Sequence, residues 1–306
     1  MKDIRKTIIG VAILGVILVA LDLAVGKSGE WMIKHLPDFG GQIVKDNYRM
    51  NRLVGDVVFV GSSRTDHHYA IPIIQDSLDA YCSTHHEAYN AGVDGRFIDL
   101  TCCVIESILE RGKPSLIVME ASDEAWTNQD NAFDRGLLFY NSNQVFREYW
   151  NRKGLKERLM SKSNMYRFNG MIQRLAINIV QPSSKNDGYS PLFGVMKVLP
   201  KKKTAESVDT MQNEFSIDNF NRVLAKSKEK GCNIVVVASP RLGNEGKNVR
   251  TAAMCAEYGV PFIDMESIPY FNENPQLFQD AGHLNDSGAR IFTSMFFTQL
   301  KPYLDF

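Results

Sequence analysis

Five short apolar runs, rich in Val and Ile, recur along the chain and are too short to be helices. They occupy residues 56–61 (DVVFVG), 87–92 (EAYNAG), 115–120 (SLIVME), 233–239 (NIVVVAS) and 260–265 (VPFIDM). Runs of this length bounded by polar and glycine residues are typical of buried strands. The pattern predicts five strands.

Amphipathic stretches with helical spacing lie between and after these runs. They cover residues 71–80, 97–111, 215–230, 247–258 and 286–300. Strands that alternate with helices favour a parallel sheet with helices on both faces, joined by right-handed crossovers. The predicted fold class is α/β, a three-layer α/β/α sandwich with a parallel sheet.

About a hundred residues separate the third run from the fourth, much more than an ordinary connection. We therefore expect an insertion over residues 127–212, largely helical, with residues 147–159 and 164–180 as its best helical candidates. Its aromatic and basic character fits a folded cap over the carboxyl edge of the sheet, and it fits a surface interaction module equally well.

The N-terminal residues differ from the rest of the chain. Three basic residues in MKDIRK precede an apolar segment from Ile8 to Val25, interrupted only by Asp22. Eighteen helical residues rise about 27 Å, close to the hydrocarbon thickness of a bilayer. The segment predicts a single N-terminal membrane anchor over residues 1–27, with the basic flank cytoplasmic and the main domain extracytoplasmic. A cleaved signal peptide is the alternative, although no small-x-small cleavage site follows the segment.

The predicted domain plan continues with a connector over residues 28–54 and an α/β domain over residues 55–306, interrupted by the insertion. At 306 residues and 44% hydrophobic content the chain can bury a substantial core. Lys plus Arg and Asp plus Glu number 35 each, so no basic field favours nucleic-acid binding. The five cysteines have neither metal-ligand nor C-x-x-C spacing, and we expect buried thiols.

Polar residues with catalytic chemistry follow the predicted strands, where a parallel sheet brings them to one edge. Ser62 and Ser63 follow the first strand, and DAGHLNDSG, with Asp280 and His283, follows the fifth. A serine needs a base, an orienting acid and oxyanion donors to act as a nucleophile. Ser63 is also a natural helix N-cap, and Asp280 and His283 fit an exposed pair at a helix start, so these sequences alone leave both interpretations open.

Three motifs together, VFVGSSR, YNAGVDG and DAGHLNDSG, resemble those of the SGNH/GDSL hydrolase superfamily. The resemblance covers residues 55–125 and 215–306 and implies a flavodoxin-like hydrolase fold without cofactor or metal. It implies that Ser63 is the nucleophile, His283 the base and Asp280 its partner, with the N–H groups of Ser63 and Gly92 in the oxyanion hole. Asn285 and Gly288 match the rest of the last motif, where Gly288 permits close helix packing.

The segment VMEASDEAW departs from the family pattern. The family carries an oxyanion-hole asparagine after the third strand, and this chain has Ser122 and Asp123 there. Ser122 is the candidate replacement donor, whereas an ionised Asp123 would repel an oxyanion. Arg64, His68 and Asp123 are the candidate substrate-binding residues, although His67 and His68 also fit a polar helix surface.

These observations predict a membrane-anchored extracytoplasmic serine esterase or O-acyltransferase of the SGNH type. Its expected substrate is an ester, such as an O-acetyl group of a cell-surface glycan, and its expected contacts are the membrane and an envelope-assembly partner at the insertion. The alternative is a catalytically weak or inactive relative that binds glycans or assists envelope assembly, which the missing asparagine favours.

Overall fold

The structure is a computed structural model that describes residues 2–95, 98–126, 133–183, 186–197, 213–243 and 247–304. Its described residues form two compact units. Unit 1 comprises Met1–Asn47 and Asp134–Ser184, and unit 2 comprises Tyr48–Phe133 and Lys185–Phe306. This division differs from the predicted plan, because a contiguous part of the insertion joins the N-terminal residues in one unit.

The strands are β1 (Val57–Val60), β2 (Ala88–Asn90), β3 (Leu116–Glu120), β4 (Asn233–Ala238), β5 (Phe262–Asp264), β6 (Phe278–Asp280) and β7 (His283–Leu284). The helices are α1 (Lys2–His35), α2 (Gln42–Asn51), α3 (Ser63–His68), α4 (Ile71–Tyr81), α5 (Ile98–Arg111), α6 (Gln144–Lys153), α7 (Leu155–Met160), α8 (Asn164–Arg167), α9 (Ile172–Val180), α10 (Glu214–Lys230), α11 (Val249–Tyr258), α12 (Pro269–Asn272) and α13 (Asp286–Leu300). Short 3-10 helices lie at Asp123–Trp126, Phe133–Phe139, Pro275–Leu277 and Lys301–Tyr303.

Unit 2 contains the predicted parallel sheet, with strand order β2-β1-β3-β4-β5. All four strand pairs are parallel, and Phe59 of β1 aligns with Val118 of β3. Each predicted apolar run contains one strand, and each predicted amphipathic stretch in this unit contains one long helix. The α/β fold class is confirmed.

One face of the sheet packs against α4 and α13. Val57 and Phe59 of β1 belong to a fully buried cluster with Ile74 of α4 and with Phe292 and Phe296 of α13. Alternate strand residues supply this face, as the two-residue period of a strand requires. Burial of these side chains fixes the register of β1, and the register determines the position of Ser63, which follows the carboxyl end of the strand.

Unit 1 is helical in the part that the structure describes. It contains α1 and α6 to α9, so the two predicted helical stretches of the insertion are confirmed as helices. Lys201 to Lys203, a charged run of the insertion, lie outside the described residues.

Helix α1 is long and apolar enough to cross a membrane, by length and composition alone. Every residue from Ile4 to Leu21 is exposed. The helix continues without a break through the predicted boundary at residue 27 to His35.

Candidate active site

Ser63 is the first residue of α3, directly after the turn that ends β1. Gly61 forms this turn, and a Cβ there would overlap Thr65 Oγ1 and lie 2.8 Å from Glu120 Cβ. Ser62 occupies the N-cap position but makes no side-chain cap hydrogen bond. The turn therefore presents Ser63 at the carboxyl edge of the sheet, with its N–H in the first turn of a helix, where no intrahelical acceptor exists.

His283 reaches Ser63 from the β6–β7 hairpin, in which Asp280 and His283 are paired. His283 Nε2 lies 2.7 Å from Ser63 Oγ. Its Nδ1 lies 2.9 Å from Asp280 Oδ1 and 3.0 Å from Oδ2. Because a carboxylate only accepts, Nδ1 carries the hydrogen and Nε2 is the free base toward the serine hydroxyl. The predicted acid, base and serine thus form one hydrogen-bonded chain, in the geometry that activates a serine.

His68 lies beside this chain but is fully buried, which does not fit the predicted substrate contact or a polar helix surface. Its Nδ1 lies 2.8 Å from Ser239 Oγ, and its Nε2 accepts the N–H of Leu284 at 3.0 Å. Burial holds the pKa of His68 well below its usual range, and the positive charge of Arg64 adds to this effect. The role predicted for His68 is wrong: it ties α3 to the residue that follows His283.

His67 is also buried, and both of its ring nitrogens face acceptors. Nδ1 lies 2.6 Å from the carbonyl oxygen of Ser190, and Nε2 lies 2.9 Å from Asp94 Oδ1. Burial lowers the pKa of His67, but the hydrogen bonds to Asp94 and Ser190 outweigh burial and leave the pKa raised. The geometry suits an imidazolium, which donates from both nitrogens.

Gly92 does not offer the free donor that was expected of it. Its N–H donates to Asn90 Oδ1 at 2.9 Å. A Cβ at Gly92 would overlap the backbone of Thr65 and Asp66 in α3. The structure therefore gives Gly92 a packing role, because only a residue without a side chain lets the β2 turn approach α3 so closely.

Ser122 follows β3 and is buried, and it lines a cavity of about 240 Å³ together with Ser63 and His283. Arg64 Nη2 donates to Ser122 Oγ at 2.8 Å. Arginine has no acceptor, so Ser122 Oγ is the acceptor in this bond and keeps its own hydrogen. Among the described residues no acceptor for that hydrogen is found, which leaves the hydroxyl able to donate to a group in the cavity.

Arg64 is held by two buried acids, Glu120 at the end of β3 and Glu266 after β5. Its guanidinium lies 3.0 Å from Glu266 Oε1 and 3.5 Å from Glu120 Oε1, and it donates to the carbonyl oxygen of Ser239 at 3.2 Å. Burial alone lowers the pKa of Arg64, but the charges of Glu120 and Glu266 raise it further than burial lowers it. Arg64 therefore stays charged, and its contacts orient Ser122; the predicted contact with substrate stays a prediction.

Asp123 points away from the cavity, contrary to its predicted substrate contact. Its carboxylate accepts the N–H groups of Arg250 and Thr251 at the start of α11, at 3.1 and 2.8 Å. It also accepts the Thr251 hydroxyl at 2.8 Å. Asp123 thus satisfies orphan donors of a helix N-terminus and puts no charge where an oxyanion would form.

Sequence reasoning missed the extended residues 186–197, which form part of the predicted insertion but belong to unit 2. Ser190 accepts from His67 through its carbonyl oxygen and donates its hydroxyl to Asp66 Oδ1 at 2.9 Å. Tyr189 donates its hydroxyl to Asp286 Oδ1 at 2.9 Å. Through these bonds, Tyr189 and Ser190 link α3 to the start of α13. Only the DGYS turn sequence hinted at them.

No protein-family model matches this chain, and no curated protein matches it. Several solved structures match this chain at low sequence identity. An acetylxylan esterase from Geobacillus stearothermophilus is 15% identical, with 82% of this chain and 94% of that chain covered and a TM-score of 0.40. A lipase/acylhydrolase from Enterococcus faecalis is 11% identical, with 80% and 95% covered and a TM-score of 0.41. A GDSL-like lipase from Bacteroides thetaiotaomicron is 11% identical, with 80% and 87% covered and a TM-score of 0.38.

The three motifs on which the resemblance rested meet at one edge of the sheet, where Ser63, Asp280 and His283 are hydrogen-bonded and Gly92 packs on α3. In the order of its motifs this chain resembles the SGNH/GDSL hydrolases, and the three solved structures named above are an acetylxylan esterase, a lipase/acylhydrolase and a GDSL-like lipase.

Proposed function

We propose that this chain is a serine esterase or O-acyltransferase of the SGNH type. The observation that carries the proposal is the 2.7 Å contact between Ser63 Oγ and His283 Nε2, with Asp280 on the opposite ring nitrogen. Metal ligation is not needed for this chemistry, because the imidazole itself takes the proton.

In the proposed reaction His283 Nε2 takes the Ser63 hydroxyl proton as Oγ attacks the carbonyl carbon of an ester. The resulting imidazolium is stabilised by Asp280, which keeps its negative charge. Collapse of the tetrahedral intermediate transfers that proton to the leaving alkoxide and leaves an acyl group on Ser63. Water or a sugar hydroxyl, deprotonated by His283, then attacks the acyl group and restores Ser63.

The developing oxyanion needs donors that point into the cavity. Ser63 N–H and the Ser122 hydroxyl are the two candidates that the contacts support, because Gly92 N–H is already bonded to Asn90. Each such donor is worth about 10²-fold to 10³-fold in kcat. Ser122, oriented by Arg64, would thus take the place of the asparagine that the family carries.

We further propose that the enzyme works outside the cytoplasm, anchored by α1, on an acylated cell-surface glycan, with O-acetyl groups as the expected ester. The exposed apolar surface of Ile8 to Leu21 and the basic residues Lys2, Arg5 and Lys6 before it support the anchor and its orientation. The proposal of a cell-surface glycan as substrate depends on this extracytoplasmic location.

Labelling with a fluorophosphonate probe tests the proposed chemistry, since the probe reacts only with an activated serine. We expect labelling of the wild type and of Ser62→Ala, and loss of labelling in Ser63→Ala. A folded wild type that stays unlabelled would contradict the proposal and would favour the alternative of an inactive glycan-binding relative.

A further inference from the structure

Beyond the exposed stretch, the second half of α1 packs inside unit 1. Gly26 and Gly29 are buried, and a Cβ at these positions would overlap the side chains of Asn164 and Phe168. The two glycines therefore bring α1 into direct contact with α8 and the residue after it.

Asp22 marks the point where this packing begins. Its carboxylate accepts from Ser163 Oγ at 2.9 Å, Asn164 Nδ2 at 3.0 Å and Met165 N at 2.8 Å. An acid at the end of an apolar helix is costly in lipid unless its oxygens are bonded. These three bonds satisfy Asp22 and fix residues 163–165 at the level where the apolar stretch ends.

A surface that is both apolar and basic lies on residues 155–166, the segment that contains the three contacts of Asp22, and we call it the juxtamembrane patch. Its apolar members are Leu155, Leu159, Met165 and Tyr166, which are 72%, 64%, 47% and 38% exposed. Leu155 and Leu159 are four residues apart on α7 and so share one face of that helix. The turn after α7 leads directly to Ser163, which bonds to Asp22.

Exposed basic side chains accompany the apolar ones, namely Lys156, Arg158 and Lys162. Large apolar side chains beside Lys and Arg are typical of segments that lie in the headgroup region of a membrane. Tyr and the long stems of Lys and Arg are the side chains that this interface favours.

We propose that the juxtamembrane patch lies in the interface of the leaflet from which α1 emerges, with its apolar side chains at the acyl boundary and its basic groups at lipid phosphates. Unit 1 then holds α1 at a fixed depth and tilt. The inference rests on the proposed anchor, because the patch is placed by its bonds to Asp22 at the end of that anchor.

Depth-dependent fluorescence quenching of the full chain tests the inference. An NBD fluorophore is attached at Leu159→Cys or Met165→Cys in a Cys82→Ser background, since the other native cysteines are buried. The chain is reconstituted in vesicles of phosphatidylcholine and phosphatidylglycerol with doxyl-labelled lipid. Val249→Cys, at a 67% exposed position of unit 2, is the matched control.

We expect quenching at positions 159 and 165 to be at least twofold greater than at position 249. Equal quenching at all three positions in chains that resist carbonate extraction would overturn the inference and leave the anchor intact. Release by carbonate would overturn both, while fluorophosphonate labelling of Ser63 would still report on the proposed chemistry. Crosslinking between position 159 cysteines without lipid quenching would assign the patch to a second copy of the chain and overturn the lipid assignment.

Discussion

The contact between Arg64 and Ser122 is the residue-scale basis of the proposed oxyanion donor. Serine has a shorter side chain than asparagine, and its hydroxyl rotates, so it is a poor oxyanion donor unless something fixes it. Arg64 Nη2 supplies that constraint by donating to Ser122 Oγ, and the buried acids Glu120 and Glu266 keep the guanidinium in place. In this arrangement the proposed donor, the Ser122 hydroxyl, is neutral, and the charged Arg64 guanidinium orients it.

Replacing Ser122 by alanine should lower kcat by about 10²-fold with little change in KM, because the lost bond forms to the transition state. Steady-state kinetics on a short-chain acyl ester measure this change. Ser122→Asn restores an amide donor and should recover part of the loss. If the Ser122→Ala variant has an unchanged kcat, Ser122 is not an oxyanion-hole donor, whatever the effect of the substitution on thermal stability.

At the scale of elements, helix α13 decides where the β6–β7 hairpin holds His283. Asn285 caps α13 by accepting the N–H of Gly288 at 3.0 Å, and it donates to the carbonyl oxygens of Gly194 and Gln276. Gly288 is buried, and a Cβ there would overlap the carbonyl group of Leu277. The close packing predicted for Gly288 is confirmed, and its neighbour is backbone that has little freedom to move.

Gly288→Ala should therefore destabilise the protein by about 2 kcal/mol, the typical cost of forcing an extra methyl into a tightly packed site. Chemical denaturation measures the free energy of unfolding. Ser287→Ala, at the exposed preceding residue of the same helix, is the matched control and should change stability by less than about 0.5 kcal/mol. Equal stabilities for the two variants would show that α13 can shift without cost.

For the molecule as a whole, two adjacent histidines in α3 respond to pH in opposite directions. The pKa of His67 is raised, so its contribution to stability is complete below its unfolded pKa of about 6.5 and is lost as pH rises through the folded value. The pKa of His68 is lowered, so its contribution is complete above about pH 6.5 and is lost as pH falls. Among the described residues, the charged or titratable neighbours of His67 are Asp66, Asp94, His68 and His283.

His67→Gln should therefore cost more stability at about pH 6 than at about pH 9, because the wild type loses the imidazolium contacts at the higher pH. Denaturation at the two pH values measures the difference. The control is His85→Gln, which removes an exposed histidine paired only with Asp79 among the described contacts of its ring. A cost that does not change with pH would mean that His67 is neutral in the folded state.

Much of this protein could be predicted from its sequence, because the deciding physics was local. The strands of the sheet are three to six residues long and each lies within a short apolar run, whereas surface helices follow a 3.6-residue period, so the sequence pattern predicts each strand of the sheet. Short-range patterns, a turn after a strand and a D-x-x-H spacing, made Ser63, Asp280 and His283 candidates, and the family resemblance supplied their predicted roles. The prediction of an anchor is likewise local, because it depends on the length and hydropathy of one segment.

Only the folded structure shows which polar groups already have hydrogen-bond partners. Gly92 N–H is occupied by Asn90, Asp123 is occupied by the start of α11, and His68 is occupied by Ser239 and Leu284. Each of these bonds except the first joins residues more than a hundred positions apart, where no sequence period connects them. The residue types in the sequence determined which chemistry was available. Long-range packing determined which donors and acceptors were already hydrogen-bonded within the protein. A donor or acceptor that is used in this way is not available to a substrate.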